Sequence, residues 1–105
     1  MILYLSGPIT GTTDYVERFG TEAHRLRDAG YEVVNPVEGA PAGLLHHEYM
    51  RRDLPLMLAC DGVALLPGHD ESQGSKLEVQ VARACGLMMH SAAWWRLLSE
   101  DMATV

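Results

Sequence analysis

The spacing of apolar positions switches repeatedly along the chain between short runs and a three- and four-residue period. Met1–Leu5 is a short apolar run stopped by Ser6-Gly7-Pro8, which predicts a buried strand. From Tyr15, the positions Val16, Phe19, Ala23, Leu26 and Ala29 trace an amphipathic helix, with Thr13 or Asp14 as its cap and Gly30 as its stop. Tyr31–Val34 reads as a second strand, ended by Asn35-Pro36. A Pro/Gly-rich loop over 36–44 precedes a helical stretch, His46–Cys60. Within it Pro55 removes a backbone donor and predicts a kink or a break near Asp53-Leu54. Gly62–Leu66 is a third strand of the fully buried kind, stopped by Pro67-Gly68. Leu77, Val81 and Ala84 mark a helix that opens at Gly74-Ser75 and ends at Gly86. Leu87–Met89 is a fourth short strand, and Ala92–Leu98 a last helix carrying Trp94 and Trp95, followed by a frayed tail.

Strands alternating with helices imply an α/β fold with a parallel sheet covered on both faces. The simplest arrangement is a three-layer, flavodoxin-like or Rossmann-like sheet of four strands in the order 2-1-3-4, within a single domain over 1–105. In that order the first and third strands are neighbours whose following helices go to opposite faces. Ligands bind at such a switch point, beyond the carboxyl ends of the strands. Two loops would meet there. One supplies Ser6, Gly7, Pro8, Ile9 and Thr10, and the other Ser72, Gly74 and Ser75, as candidate substrate contacts.

Charge narrows the partners. Eight basic against fourteen acidic side chains leave a net −6, which argues against a DNA or RNA polymer as ligand. A small anion stays open, because helix N-termini bind anions within acidic proteins. Cys60 and Cys85 make neither a disulfide framework nor a zinc site, and both fall in apolar stretches, so buried free thiols are expected. His24, His46, His47, His69 and His90 lack metal-ligand spacing, so no metal is expected. The opening MILYLSGPITG has no basic region and too short an apolar run for a signal peptide. No segment approaches the ~18 apolar residues of a membrane span, so a cytoplasmic protein is expected.

Three side chains carry candidate chemistry. Glu78 lies in the first turn of the third helix, facing the crevice mouth, where a carboxylate can act as nucleophile or base. Ser75-x-x-Glu78 is equally a capping box, in which Glu78 only bonds back to the Ser75 amide. Asp53, in Arg51-Arg52-Asp53-Leu54, is either a solvated helix charge paired with Arg52 or a second site carboxylate. Tyr4 is either plain core or a buried phenol whose hydroxyl requires a partner, and a carboxylate at the strand end would serve. Asp61 reads as a turn residue, and the absence of Gly-Lys-Ser/Thr excludes a P-loop.

The set Tyr4-Leu5-Ser6-Gly7-Pro8, Asn35-Pro36, Arg52-Asp53-Leu54, Cys60-Asp61-Gly62-Val63-Ala64-Leu65-Leu66 and Ser72-x-Gly74-Ser75-x-x-Glu78 resembles the nucleoside 2-deoxyribosyltransferase superfamily. It is most similar to the small phage and bacterial branch that opens with Tyr, a hydrophobic residue, Ser or Ala and then Gly-Pro. It also resembles the 2′-deoxynucleoside 5′-phosphate N-hydrolases. The resemblance runs from about Tyr4 to Gly86 and implies cleavage or transfer of an N-glycosidic bond without a cofactor. By position it implies that Glu78 is the nucleophile, that Asp53 handles the leaving base and that Tyr4 orients the nucleophile. It aligns Ser72 and Gly74 with the phosphate pocket of the hydrolases. Pro8 and Thr10 stand where the hydrolases carry a serine and an arginine, and Ser72 where the transferases carry an aspartate. A small nucleoside or nucleotide would be the ligand, and a homodimer or larger homo-oligomer the assembly.

That chemistry suits the residue types. Departure of a base from C1′ builds oxocarbenium character, which a nearby carboxylate stabilises and then captures. A second carboxyl group, kept protonated, can protonate the departing base. Two other readings keep the fold without the reaction. One is a nucleotide or NAD-derivative sensor that needs no carboxylate pair; the other is an interaction protein using Trp94 and Trp95.

Overall fold

The computed structural model describes residues 1–9 and 12–103. Thr10 therefore lies outside the described residues. Four strands, β1 (Ile2–Ser6), β2 (Glu32–Val34), β3 (Gly62–Leu65) and β4 (Met88–Ser91), form one parallel sheet in the order β2-β1-β3-β4. Between and after them lie α1 (Tyr15–Asp28), α2 (His46–Leu58), α3 (Gln73–Ala84) and α4 (Ala92–Ala103). The α/β architecture and strand order are those expected from the alternating pattern.

Strand pleating sorts the central side chains between two faces. Leu3 and Leu5 of β1 and Ala64 of β3 pack with Phe19, Ala23 and Leu26 of α1 and with Ala92 and Trp95 of α4. Tyr4 and Val63 turn to the other face, with Met57 of α2, Cys60 and Ala82 of α3. Ser6 falls in phase with Tyr4, so both hydroxyls of β1 point toward the α2/α3 layer. Trp95 is fully buried; its Nε1–H donates to the Val63 carbonyl at 3.0 Å, and its own carbonyl accepts from the Tyr31 hydroxyl at 2.7 Å. Trp94 is partly exposed and stacks on His90, with ring centroids 3.5 Å apart. Asp61 accepts from the Ile2 N–H at 2.7 Å and so ties the start of β3 to that of β1.

Several expected details are corrected. α2 is one helix through Pro55, with no break at Asp53-Leu54. Arg51, whose carbonyl loses its partner to the proline, and Pro55 itself are exposed, so water can solvate that carbonyl. β4 continues to Ser91 because it pairs with β3 through Ala64↔His90 and Leu65↔Ser91, a non-local constraint invisible to local hydropathy. α4 runs past Leu98 to Ala103, and Ser99 Oγ donates to the Ala29 carbonyl at the end of α1. Asp14 occupies the cap position of α1 without a side-chain cap bond. Cys60 is buried, but Cys85, at the carboxyl end of α3, is exposed.

Candidate active site

The carboxyl ends of β1, β2 and β3 open into a cleft of about 540 Å³. Gly7 and Ile9 follow β1, Pro36 and Val37 follow β2, and Glu71 to Ser75 follow β3; all line it. α2 supplies His46, Tyr49, Met50 and Asp53, and α3 supplies Glu78. The location is the switch point of the sheet, between β1 and β3.

The approach of the two central strands requires Gly7. A Cβ there would lie 2.8 Å from Leu66 Cβ, closer than real Cβ contacts come. Beyond β3, Gly68 adopts φ +84°, and a single 3-10 turn, His69–Glu71, takes up the loop. Ser72 is then the cap of α3, its Oγ accepting from the Ser75 N–H at 3.4 Å. The cap thus falls three residues earlier than the Ser75 expected from the capping-box spacing. Ser75 occupies the third helical position rather than the cap, and Glu78 lies a turn deeper. The capping box Ser75-x-x-Glu78 is accordingly absent.

The Glu78 carboxylate turns instead to β1. Its Oε2 accepts from the Tyr4 hydroxyl, and its Oε1 accepts from Ser6 Oγ at 2.8 Å. Ser6 Oγ also lies 2.6 Å from Ser75 Oγ. All four residues are buried. Burial raises the Glu78 pKa to about 7; the bonds from Tyr4 and Ser6 oppose that rise, and the charge of Asp53 adds to it. Burial, then the neighbouring Glu78 carboxylate, push the Tyr4 phenol far above its usual range, so it remains a donor.

Asp53 reaches the same cleft from α2 as a half-buried residue. Its Oδ1 accepts from Arg52 Nη1 at 2.7 Å, and that nitrogen also donates to the Pro36 carbonyl at 3.0 Å. Burial raises the Asp53 pKa, while the hydrogen bond and charge of Arg52 lower it. Asp53 is thus half-buried, paired with Arg52, and lines the same pocket as Glu78.

The other sequence candidates divide. Gly7, Ile9, Ser72, Gly74 and Ser75 line the cleft. Ser6 lies beneath the wall, joined to Glu78, and Pro8 packs toward Gly68. The far wall, from Pro36 to Met50, was not singled out from sequence. Its signal is weak, since Val37, Ala40, Pro41 and Ala42 sit in a Pro/Gly-rich loop without periodicity. Tyr49, whose hydroxyl donates to the Pro41 carbonyl at 2.9 Å, fastens this loop to α2. Among the described residues no group of three His, Cys, Asp or Glu side chains is disposed to hold a metal, and no helix is long and apolar enough to cross a membrane.

No curated protein and no solved structure matches the chain. Residues 1–91 match the model of a family described as a domain of unknown function, DUF4406, and the chain belongs to that family.

Proposed function

We propose that the cleft cleaves or transfers the N-glycosidic bond of a 2′-deoxynucleoside or its 5′-monophosphate. The observation that carries this reading is the buried Glu78 carboxylate, with each oxygen gripped by a β1 hydroxyl, on the wall of a cleft shared with Asp53. In the proposed first step Glu78 bonds to C1′ as the C1′–N bond breaks. The electron pair leaves with the base, which Asp53 protonates. In the second step water or an acceptor base gives its proton back to the Asp53 carboxylate as it attacks C1′, and the Glu78–C1′ bond breaks with its electron pair returning to the carboxylate, which retains configuration. The raised Asp53 pKa favours the protonated form that the first step needs, and the Tyr4 and Ser6 donors favour the ionised form of Glu78.

The resemblance of the Tyr4, Asp53 and Glu78 motifs to the nucleoside 2-deoxyribosyltransferase superfamily supports the same assignment. A homo-oligomer and a cytoplasmic location belong to the same reading. For the former, support comes from the exposed Met88, Trp94 and Leu97 along β4 and α4.

The test is incubation with a panel of deoxynucleosides and their monophosphates, with and without an acceptor base, and chromatography for free base. Release by wild type and loss of about 1,000-fold or more in Glu78→Ala is expected for a nucleophile. Equal rates in the two proteins remove Glu78 from that role. Binding of nucleotides without base release from any substrate would make the cleft a sensor site.

A further inference from the structure

Glu78 is held by a chain of hydroxyls as well as by Tyr4. Ser6 has one hydroxyl proton, and it goes to Glu78 Oε1. The proton between the two serines, 2.6 Å apart, therefore belongs to Ser75. Donation runs from Ser75 to Ser6 to Glu78. Both ends of the chain stand on fixed backbone. The Ser6 carbonyl accepts from the Leu66 N–H at 2.8 Å, and the Ser75 N–H is capped by Ser72. Ser6 is buried and takes no part in lining the cleft, so it has no surface to offer a substrate.

We propose that Ser6, backed by Ser75, is a positioning residue that fixes the Glu78 carboxylate toward the cleft and stabilises its ionised form. The assignment rests on the glycosidic reading of Glu78. A carboxylate offers about four lone-pair sites. Tyr4 takes one on Oε2 and Ser6 takes one on Oε1, which leaves each oxygen a free site. With only Tyr4 the group would pivot about one contact; with both donors its plane is set. Donation from Ser75 polarises the Ser6 hydroxyl and strengthens its own donation. The titratable groups facing Glu78 are Tyr4 from β1 and Asp53 from α2. Asp53 opposes ionisation; the cleft is also lined by His46 and Tyr49 of α2 and by Glu71, and no Lys or Arg is among the described residues that line it.

The experiment uses Ser6→Ala, Ser75→Ala and the double variant, with two readouts. The first is the NMR titration of ¹³C-labelled glutamate carboxyls, with the Glu78 signal identified by its loss in Glu78→Gln. The second is kcat and KM for base release against pH. Ser6→Ala should raise the Glu78 titration midpoint by about one to two pH units, the weight of a hydrogen bond to a charged acceptor. Ser75→Ala should raise it less, and the double variant should match Ser6→Ala, because Ser75 acts through Ser6. From a midpoint of about 7, that rise lowers kcat at pH 7 by about 5- to 50-fold, leaves KM within about threefold, and narrows the deficit above pH 9.

An unchanged midpoint in Ser6→Ala, additive shifts in the double variant, or a KM defect with kcat kept overturns the proposal. Should wild type release no base, the glycosidic reading fails, while the titration still decides the hydroxyl chain. If Ser6→Ala does not fold, Ser6→Cys, of similar size but a weak donor, carries the same test together with Ser75→Ala.

Discussion

Glu78→Gln removes one titrating proton from the buried end of β1 and leaves the side chain's shape almost unchanged. The Gln amide can still accept from Ser6 at its oxygen and donate to Tyr4 at its nitrogen. In the folded protein Glu78 holds its proton up to about pH 7, whereas its ordinary value is 4.5. Between those two values the folded state binds more protons than the unfolded chain, so the wild type loses stability as pH rises through the window. Above it the loss levels off. A separation of about 2.5 pH units corresponds to about 3 kcal/mol, and the hydrogen bonds from Tyr4 and Ser6 are already contained in that figure.

Glu78→Gln escapes this loss. The variant should exceed wild type by about 3 kcal/mol at pH 8.5 and by only about 0.4 kcal/mol at pH 4.5. Urea unfolding followed by the fluorescence of the buried Trp95 measures both. At pH 8.5 the midpoint should rise by about 2 M. The same variant should release no base in the nucleoside assay. Stability gained where activity is lost is the mark of a group retained for function rather than for the fold. A difference between variant and wild type that is the same at pH 4.5 and 8.5 would refute the reasoning, because burial would then not be holding the Glu78 proton.

Two further outcomes follow from the ion pairs. Arg52→Met removes the bond and charge that lower the Asp53 pKa, so Asp53 should stay protonated to higher pH; the basic limb of kcat/KM for base release should move up. Arg96 bonds both carboxylate oxygens of Glu22, joining α4 to α1. Arg96→Met strands the buried Glu22 carboxylate and should cost about 3 kcal/mol in urea unfolding, most of it recovered in the Glu22→Gln, Arg96→Met double variant.

The strand order was open to sequence reading because strands alternating with helices leave few right-handed topologies, and the pairing of Tyr4 with a carboxylate because the period of two turns its hydroxyl away from Leu3 and Leu5. The period of two puts Tyr4 and Ser6 on one face of β1, opposite Leu3 and Leu5. The order 2-1-3-4 brings the ends of β1 and β3 together, and α3 must start there. The far wall of the cleft escaped because nothing within 36–44 signals that its residues return across the end of the sheet. The contacts that return them, Arg52 to the Pro36 carbonyl and Tyr49 to the Pro41 carbonyl, join side chains to backbone acceptors that any residue would present.

Glu78 shows where local reading divides. Ser75-x-x-Glu78 satisfies the capping-box spacing as well as any functional motif does. Gly74 also disfavours a helix interior, which invites a start at that point. What decides between the readings is three residues earlier. Gly68 accepts a left-handed backbone, the 3-10 turn His69–Glu71 shortens the loop, and Ser72 reaches the cap position first. With the first-turn amide of Ser75 already served by Ser72, Glu78 has no local donor to return to. Its burial then demands donors from elsewhere, and Tyr4 and Ser6 are the hydroxyls that the pleat of β1 presents to it. The same turn that cancels the capping box thus aims an acid with a raised pKa at the switch point. A helix shift of three residues separates a glutamate that caps its own helix from one that faces the cleft, and neither composition nor spacing carries that distinction.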